Sequence, residues 1–258
     1  MDIFSFAPIA ALLSAAYAVV EGLAALFDPI AGAASAAIAI LVLTALVRAA
    51  LIPVGASQVK AEWTRRRLAP QLQALQRKHK KNPQLLQQKT MELYRAESSS
   101  PFAGMLPALA QAPVLSLVYA LFIRTTVDGH PNALLSEHLS GIPLGTSFVH
   151  LVSTGGLWPG GALYLALFAI MAGVAWMSRR IALRLALPVD PAVPMAGLGR
   201  VLSWLPFITV VFAAFVPLAA TLYLVMTTAW TLVERILLRR RYWRMVGPAT
   251  GTRAIVAT

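Results

Sequence analysis

With 58% apolar and 12% charged side chains, the 258-residue chain has about half the charge of an ordinary soluble domain, which excludes that class and points to a polytopic membrane protein. Its length accommodates one membrane domain of about five spans with a single polar excursion. Cysteine is absent, which excludes disulfides, thiolate metal sites and cysteine nucleophiles, and the net charge of +12 takes its meaning from where the cations fall.

The first residues carry no basic stretch ahead of the apolar one, unlike a signal peptide, so this segment is expected to be retained. Within residues 4–27, Ser14, Tyr17 and Glu21 fall on one helical stripe that Asp28 closes, which predicts an amphipathic helix lying on the outer surface. A sixth span is the alternative. Residues 33–54 form the first long apolar run, sufficient for a bilayer core that needs about 20 apolar residues. Arg48 is its lone charge, roughly 9 Å inward from Val54 along a helix. Near a helix centre such a cation costs about 2.5–3.5 kcal/mol even on the lenient translocon scale. Two readings follow: Arg48 snorkels to the headgroups, or it faces a wet pocket within the inner leaflet. Thr44 lies one turn earlier on the same face.

Residues 56–100 are polar and rich in Lys, Arg and Gln. A helix is expected from Gln58 to Lys81, with Trp63, Leu68, Leu72 and Leu75 on its apolar side and Pro70 bending or restarting it. Asn82 followed by Pro83 is an N-cap and first-turn pair that starts a second helix, ending near Glu97 before Ser98-Ser99-Ser100-Pro101. The two make an antiparallel hairpin whose basic face is a solvated or lipid-touching surface; specific nucleic-acid recognition is not expected.

Four further apolar runs follow, at residues 102–123, 159–177, 201–216 and 218–238. Gln111 lies inside the first of these between Pro107 and Pro113, with Ser116 and Tyr119 further along. Tyr223, Thr227 and Thr228 recur at i, i+4 and i+5 on the last. Singly, Ser and Thr in such helices bond their own backbone or a neighbouring helix; together with Arg48 they suggest a hydrated groove. The last two runs meet at Pro217 without a polar loop, and each arm is slightly short for a core about 30 Å thick, which implies a locally thin membrane. Gly155 to Gly161 read as a flexible lead into the third span, with Trp158 as an interfacial anchor.

Of the 22 Lys and Arg residues, ten fall in the hairpin, four between residues 178 and 200 and six after residue 233; only Arg48 and Arg124 lie elsewhere. With five spans all three basic segments share one side. The positive-inside rule makes that side cytoplasmic, placing the N-terminal region outside and the C-terminus inside. No zinc-protease, nucleophile-elbow or P-loop motif occurs. His130, His138, Glu137 and Asp128 lack regular ligand spacing, so neither metal, cofactor nor catalytic residue is expected.

Several of these stretches resemble the YidC/Oxa/Alb membrane protein insertase family. Arg48-x-x-Leu51-Ile52-Pro53 followed by Ser57-Gln58 is similar to its first core span with the groove arginine. Pro70 with Leu72, Leu75 and Gln76 is similar to the start of its cytoplasmic hairpin. The run from Ser100 to Pro107 and then Gln111-Ala112-Pro113 resembles its second span, while Leu205-Pro206 and Pro217…Leu222-Tyr223 resemble its closing helical pair. Leu224, Thr228 and Glu234 depart from the Trp, Asn and Gln common in relatives, and Arg179 and Arg180 stand where some carry amides.

The expectation is therefore an all-α polytopic bundle, a single insertase membrane domain over residues 1–258 with five core transmembrane helices, an outer interfacial helix and a cytoplasmic helical hairpin. The resemblance implies an insertase or chaperone of the plasma membrane whose groove, open to cytoplasm and lipid, is lined by Arg48, Thr44, Gln111, Ser116, Tyr119, Tyr223, Thr227 and Thr228. It implies nascent membrane proteins as substrates, with the ribosome, the Sec translocon and anionic lipids as further partners. An assembly scaffold or a small-solute transporter are the alternatives. A transporter would need a pathway through outer halves of spans that here are apolar.

Overall fold

The computed structural model describes residues 7–100, 102–103, 105–127, 129–156, 160–186 and 198–246. Trp158, Asp128 and Pro101, singled out above, lie outside them, as do the first residues of the N-terminal segment. Helices dominate: α1 (Ala7–Ala31), α2 (Ser35–Ala50), α3 (Ile52–Lys78), α4 (Pro83–Ala96), α5 (Met105–Ile123), α6 (Phe148–Ser153), α7 (Gly160–Arg184), α8 (Leu198–Leu202), α9 (Leu205–Ala213) and α10 (Leu218–Val246). Among the described residues, the stretches Ala7–Ala50, Gly160–Arg184 and Leu218–Tyr242 are long and apolar enough to cross a membrane, and Gln111–Ile123 is a shorter apolar helix. The protein is an all-α, multi-pass membrane protein.

The helix boundaries follow local chemistry. Helix α2 stops at Ala50, four residues before the end of the apolar run. Pro53 has no N–H to give the Ala49 carbonyl, and its ring crowds that turn, so Leu51 leaves the helix and α3 starts at once with Pro53 in its first turn. Pro70, by contrast, lies within an uninterrupted α3. Asn82 caps α4 as its sequence promises, its side chain accepting from the Leu85 N–H at 3.1 Å. The apolar run 201–216 divides into α8 and α9, with Pro206 in the first turn of α9.

The chain forms two compact units, Met1–Ala50 with Pro113–Leu232, and Leu51–Ala112 with Val233–Thr258. In the first, α1 packs against α2 across a turn where Gly32 takes φ +49°. Its core gathers Val20, Ala36, Ala39, Ile40, Leu121, Phe122, Tyr164, Leu218, Ala219 and Ala220. The alanines matter because lipid is as apolar as leucine: helix association in a bilayer relies on close backbone approach and hydrogen bonds rather than on escape from water. Large residues such as Ile208, Val211 and Phe215 stay exposed on the protein surface, as suits a surface that meets lipid.

Residues 124–147 of this unit build two short antiparallel hairpins, β1 (Thr126–Val127) with β2 (His130–Pro131) and β3 (His138–Leu139) with β4 (Ile142–Pro143). The second turns on Ser140 and Gly141, both at positive φ, the geometry that matches strand twist in a two-residue turn. This loop supplies backbone partners to the α9–α10 corner. Thr146 and Leu144 carbonyls accept from the Leu218 and Ala219 N–H groups at 2.8 and 2.9 Å, and the Ala214 carbonyl accepts from Val149 at 3.1 Å. Inside the corner, the fully buried Thr221 hydroxyl donates to the Ala213 carbonyl at 3.1 Å. Backbone groups left bare in hydrocarbon cost several kcal/mol each, so these bonds are what make a sharp corner between apolar helices tolerable.

The second unit holds α3 and α4, packed as a hairpin, with the end of α10. Leu68, Ala69 and Tyr94 are buried in it. Glu62 accepts from Arg66 at 2.6 Å and from the Nε and Nη2 of Arg239 at 2.9–3.3 Å, while Arg67 pairs with Glu97 and lies over the Trp63 ring. The Glu234 carboxylate of α10 occupies the space that a Cβ on Gly55 would fill.

Candidate functional site

Arg48 sits in the last turn of α2 and is buried, with only 6% of its surface exposed. Its guanidinium stays charged at any physiological pH, so burial in an apolar helix demands polar company. Part of that company comes from α10, where the Tyr223 phenol is near enough to feel the Arg48 charge and the enclosed Thr227 hydroxyl stands beside it. Tyr223 is itself buried and donates to the Leu115 carbonyl of α5 at 3.1 Å, which ties α10 to α5. Tyr119 leans on Tyr223, ring centroids 6.0 Å apart, and Phe122 does the same from the other turn.

The remaining expected residues divide. Thr44 is buried, but its hydroxyl donates at 2.7 Å to the Ile40 carbonyl of its own helix. Thr228 likewise donates to the Leu224 and Val225 carbonyls at 2.8 and 3.1 Å. Ser116 is exposed on α5. Gln111 belongs to the second unit, where its side-chain oxygen accepts from the Gln58 amide at 3.2 Å. The first unit thus brings together Arg48, Tyr223, Thr227 and Tyr119. Thr44 and Thr228 satisfy themselves locally.

Two features escaped the sequence. Asn132, 3% exposed, donates at 2.9 Å to both the Leu121 and Arg124 carbonyls at the end of α5 and accepts from the Leu134 N–H at 3.2 Å. The second is a cavity of about 340 Å³ lined by Glu21, Asp28, Ser35 and Glu137. The acidic stripe of α1 therefore faces polar space shared with the 124–157 loop, and the Tyr17 hydroxyl accepts from Ala133 of that loop at 3.1 Å. Among the described residues no group of three metal-ligating side chains comes together.

Fold and site together define a multi-pass α-helical membrane protein with a buried arginine in its first long apolar helix pair. The chain belongs to the 60Kd inner membrane protein family, the YidC/Oxa/Alb insertases, whose sequence profile matches residues 26–244. It is 34% identical over 119 residues to the membrane protein insertase YidC of Clostridium perfringens, covering 46% of this chain and 50% of that protein. With the membrane protein insertase YidC of Granulibacter bethesdensis it shares 26% identity over 212 residues, 79% of this chain and 35% of the relative. The protein of the same name in Burkholderia cenocepacia is 36% identical over 103 residues, 40% of this chain and 19% of that one. These matches span half or less of each relative's own length.

Proposed function

We propose that this protein is a membrane protein insertase, acting on nascent membrane proteins through a hydrated inner-leaflet groove in which Arg48 is the central group. The family and the names of its relatives support the class; the burial of an obligatory cation within reach of the Tyr223 phenol, which Thr227 adjoins, is the observation that carries the mechanism. Water around Arg48, with Tyr119, Tyr223 and Thr227 on the walls and Thr44, Ser116 and Thr228 on the same helices, lowers the cost of drawing a short polar segment part-way across. A carboxylate held about 4 Å from the guanidinium gains roughly 4 kcal/mol at an effective dielectric near 20. That offsets the ~2.5–3.5 kcal/mol of one acidic residue at mid-membrane, and not of several. The apolar part of the substrate then leaves sideways into lipid, and its burial drives the step.

In this reading the hairpin α3–α4 and the end of α10 face the cytoplasm, where their cations meet anionic lipid, the ribosome or the Sec translocon. The 124–157 loop faces outward with α1 lying along that surface. The polar lining shared by α1 and the loop supports this placement of α1, because Glu21 and Asp28 border a cavity rather than lipid.

Photocrosslinkers at positions 44 and 223, in native membranes carrying ribosome-stalled nascent membrane proteins, test the groove. Adducts at defined chain lengths are expected. Arg48→Ala should lower insertion of a substrate with one acidic residue in its translocated segment by about tenfold, equivalent to ~1.4 kcal/mol. Arg48→Lys should be milder, and a substrate with a neutral segment nearly unaffected. Equal insertion of both substrates by Arg48→Ala would sink the electrostatic role, and adducts only to folded subunits would turn the reading to an assembly scaffold.

A further inference from the structure

Helix α7 is apolar from Gly160 to Met177 and then presents Arg179 and Arg180. The Arg179 guanidinium carbon lies 4.1 Å from the ring centre of Trp204, at the start of α9, and that of Arg180 lies 4.0 Å over Trp176, one turn back on α7. Trp204 in turn rests on Phe207, centroids 5.2 Å apart. Stacking on an indole uses the flat face of a guanidinium and leaves its in-plane N–H donors free for an anion. Among the described residues no carboxylate pairs with either arginine, and the Arg179 Nε–H is enclosed without a hydrogen-bond partner. Two guanidinium groups, without a carboxylate partner among the described residues, stand at the end of an apolar helix, beside tryptophans that are 46% and 52% exposed.

We propose that Arg179 and Arg180, oriented by Trp204 and Trp176, form a binding site for the phosphodiester headgroup of an anionic phospholipid. Three properties select that ligand. A guanidinium fork matches two phosphate oxygens better than any single-point contact. Tryptophan partitions to the headgroup level of a bilayer, which sets the depth of the site. The exposed apolar residues next to Trp204, Val201, Leu202 and Leu205, offer acyl chains a surface that a soluble phosphate cannot use. The site is separate from Arg48 and stands whether or not the groove works as proposed. It anchors the α7–α9 pair to one leaflet.

The test uses the full chain in phosphatidylcholine nanodiscs carrying a small fraction of phosphatidylglycerol or phosphatidylcholine brominated on the acyl chain, with tryptophan quenching as the readout. Brominated phosphatidylglycerol is expected to reach half-maximal quenching at about thirtyfold lower fraction, the size of effect two interfacial cations give. Arg179→Gln with Arg180→Gln should remove most of that preference, and Arg179→Lys with Arg180→Lys should keep part of it. Inorganic phosphate in the buffer should not compete. Equal quenching by both lipids in the unaltered protein overturns the site, as does a preference untouched by the glutamine pair or displacement of the lipid by free phosphate. Should the glutamine pair fail to fold, the lysine pair decides: charge is kept and the stacked fork lost, so an undiminished preference overturns the site and a reduced one supports it.

Discussion

Asn132 shows how much one side chain can carry when a helix ends among apolar neighbours. Its amide closes two carbonyls at the end of α5 and its oxygen holds the next turn, all while the residue is 3% exposed. Each bond contributes about 0.5–1.5 kcal/mol net, and a buried acceptor left bare adds its own penalty. Asn132→Ala is therefore expected to destabilise the protein by about 2–4 kcal/mol, read from thermal unfolding in detergent, and Asn132→Asp, which would set a buried carboxylate against those same two carbonyls, by more than Ala. A loss under half a kcal/mol would mean that water serves those carbonyls equally well. Arg48 was legible in the sequence because charge in an apolar run is costly wherever the chain folds. Asn132 was not, because a polar residue in a polar loop carries no signal until one knows which carbonyls stop beside it. The hydroxyls fall between: Thr44 and Thr228 stood out by composition, yet they spend their donors on their own helices.

At the scale of elements, stops and caps were readable and continuity was not. Asn82-Pro83 announced α4 because both residues act locally. The division of 33–54 at Leu51 follows from Pro53 by the same local logic, although hydropathy alone runs straight through it. Pro70 did not end α3, whose flanking turns are held by burial of Leu68 and Ala69 and by the ion pairs of Glu62 and Arg67. That network gives the basic hairpin an internal order that a count of charges hides. Glu62 binds the fork of Arg239, far along the chain on α10, with their side chains 33% and 20% exposed. At such exposure the attraction is partly screened, so a double-mutant cycle with Glu62→Gln and Arg239→Gln should return a coupling of about 0.5–1 kcal/mol that shrinks as salt is raised. A salt-independent value, or none, would assign the pair no part in tying α10 to the root of the hairpin.

For the whole molecule the two strongest quantities, apolar content and the placement of cations, were available before any coordinate. Shape was not. Nothing in the composition foretold that residues 144–149 would supply the backbone bonds of the α9–α10 corner, or that α9 would be only nine residues, about 14 Å of rise against a core near 30 Å. Such a short helix cannot by itself carry the chain from one headgroup region to the other. The orientation of the molecule therefore rests on charge. Twenty of 22 Lys and Arg residues fall in three segments that five spans would place on one face, and each cation near an anionic cytoplasmic surface is worth about 1 kcal/mol. The reverse orientation would carry all of that charge through the bilayer. Because the chain has no cysteine, single substitutions report sidedness without background. Gln87→Cys on α4 and His138→Cys on β3 are both at exposed positions, in the second and first units respectively. A membrane-impermeant maleimide added to intact cells should label His138→Cys fully and leave Gln87→Cys untouched until the membrane is opened. The opposite pattern would invert the topology and leave Arg48 in the outer leaflet, where a groove open to the cytoplasm cannot reach it. Labelling of both in intact cells would break the five-span arrangement itself, because the 124–157 loop and the hairpin would then share a side and an even number of crossings would have to separate them.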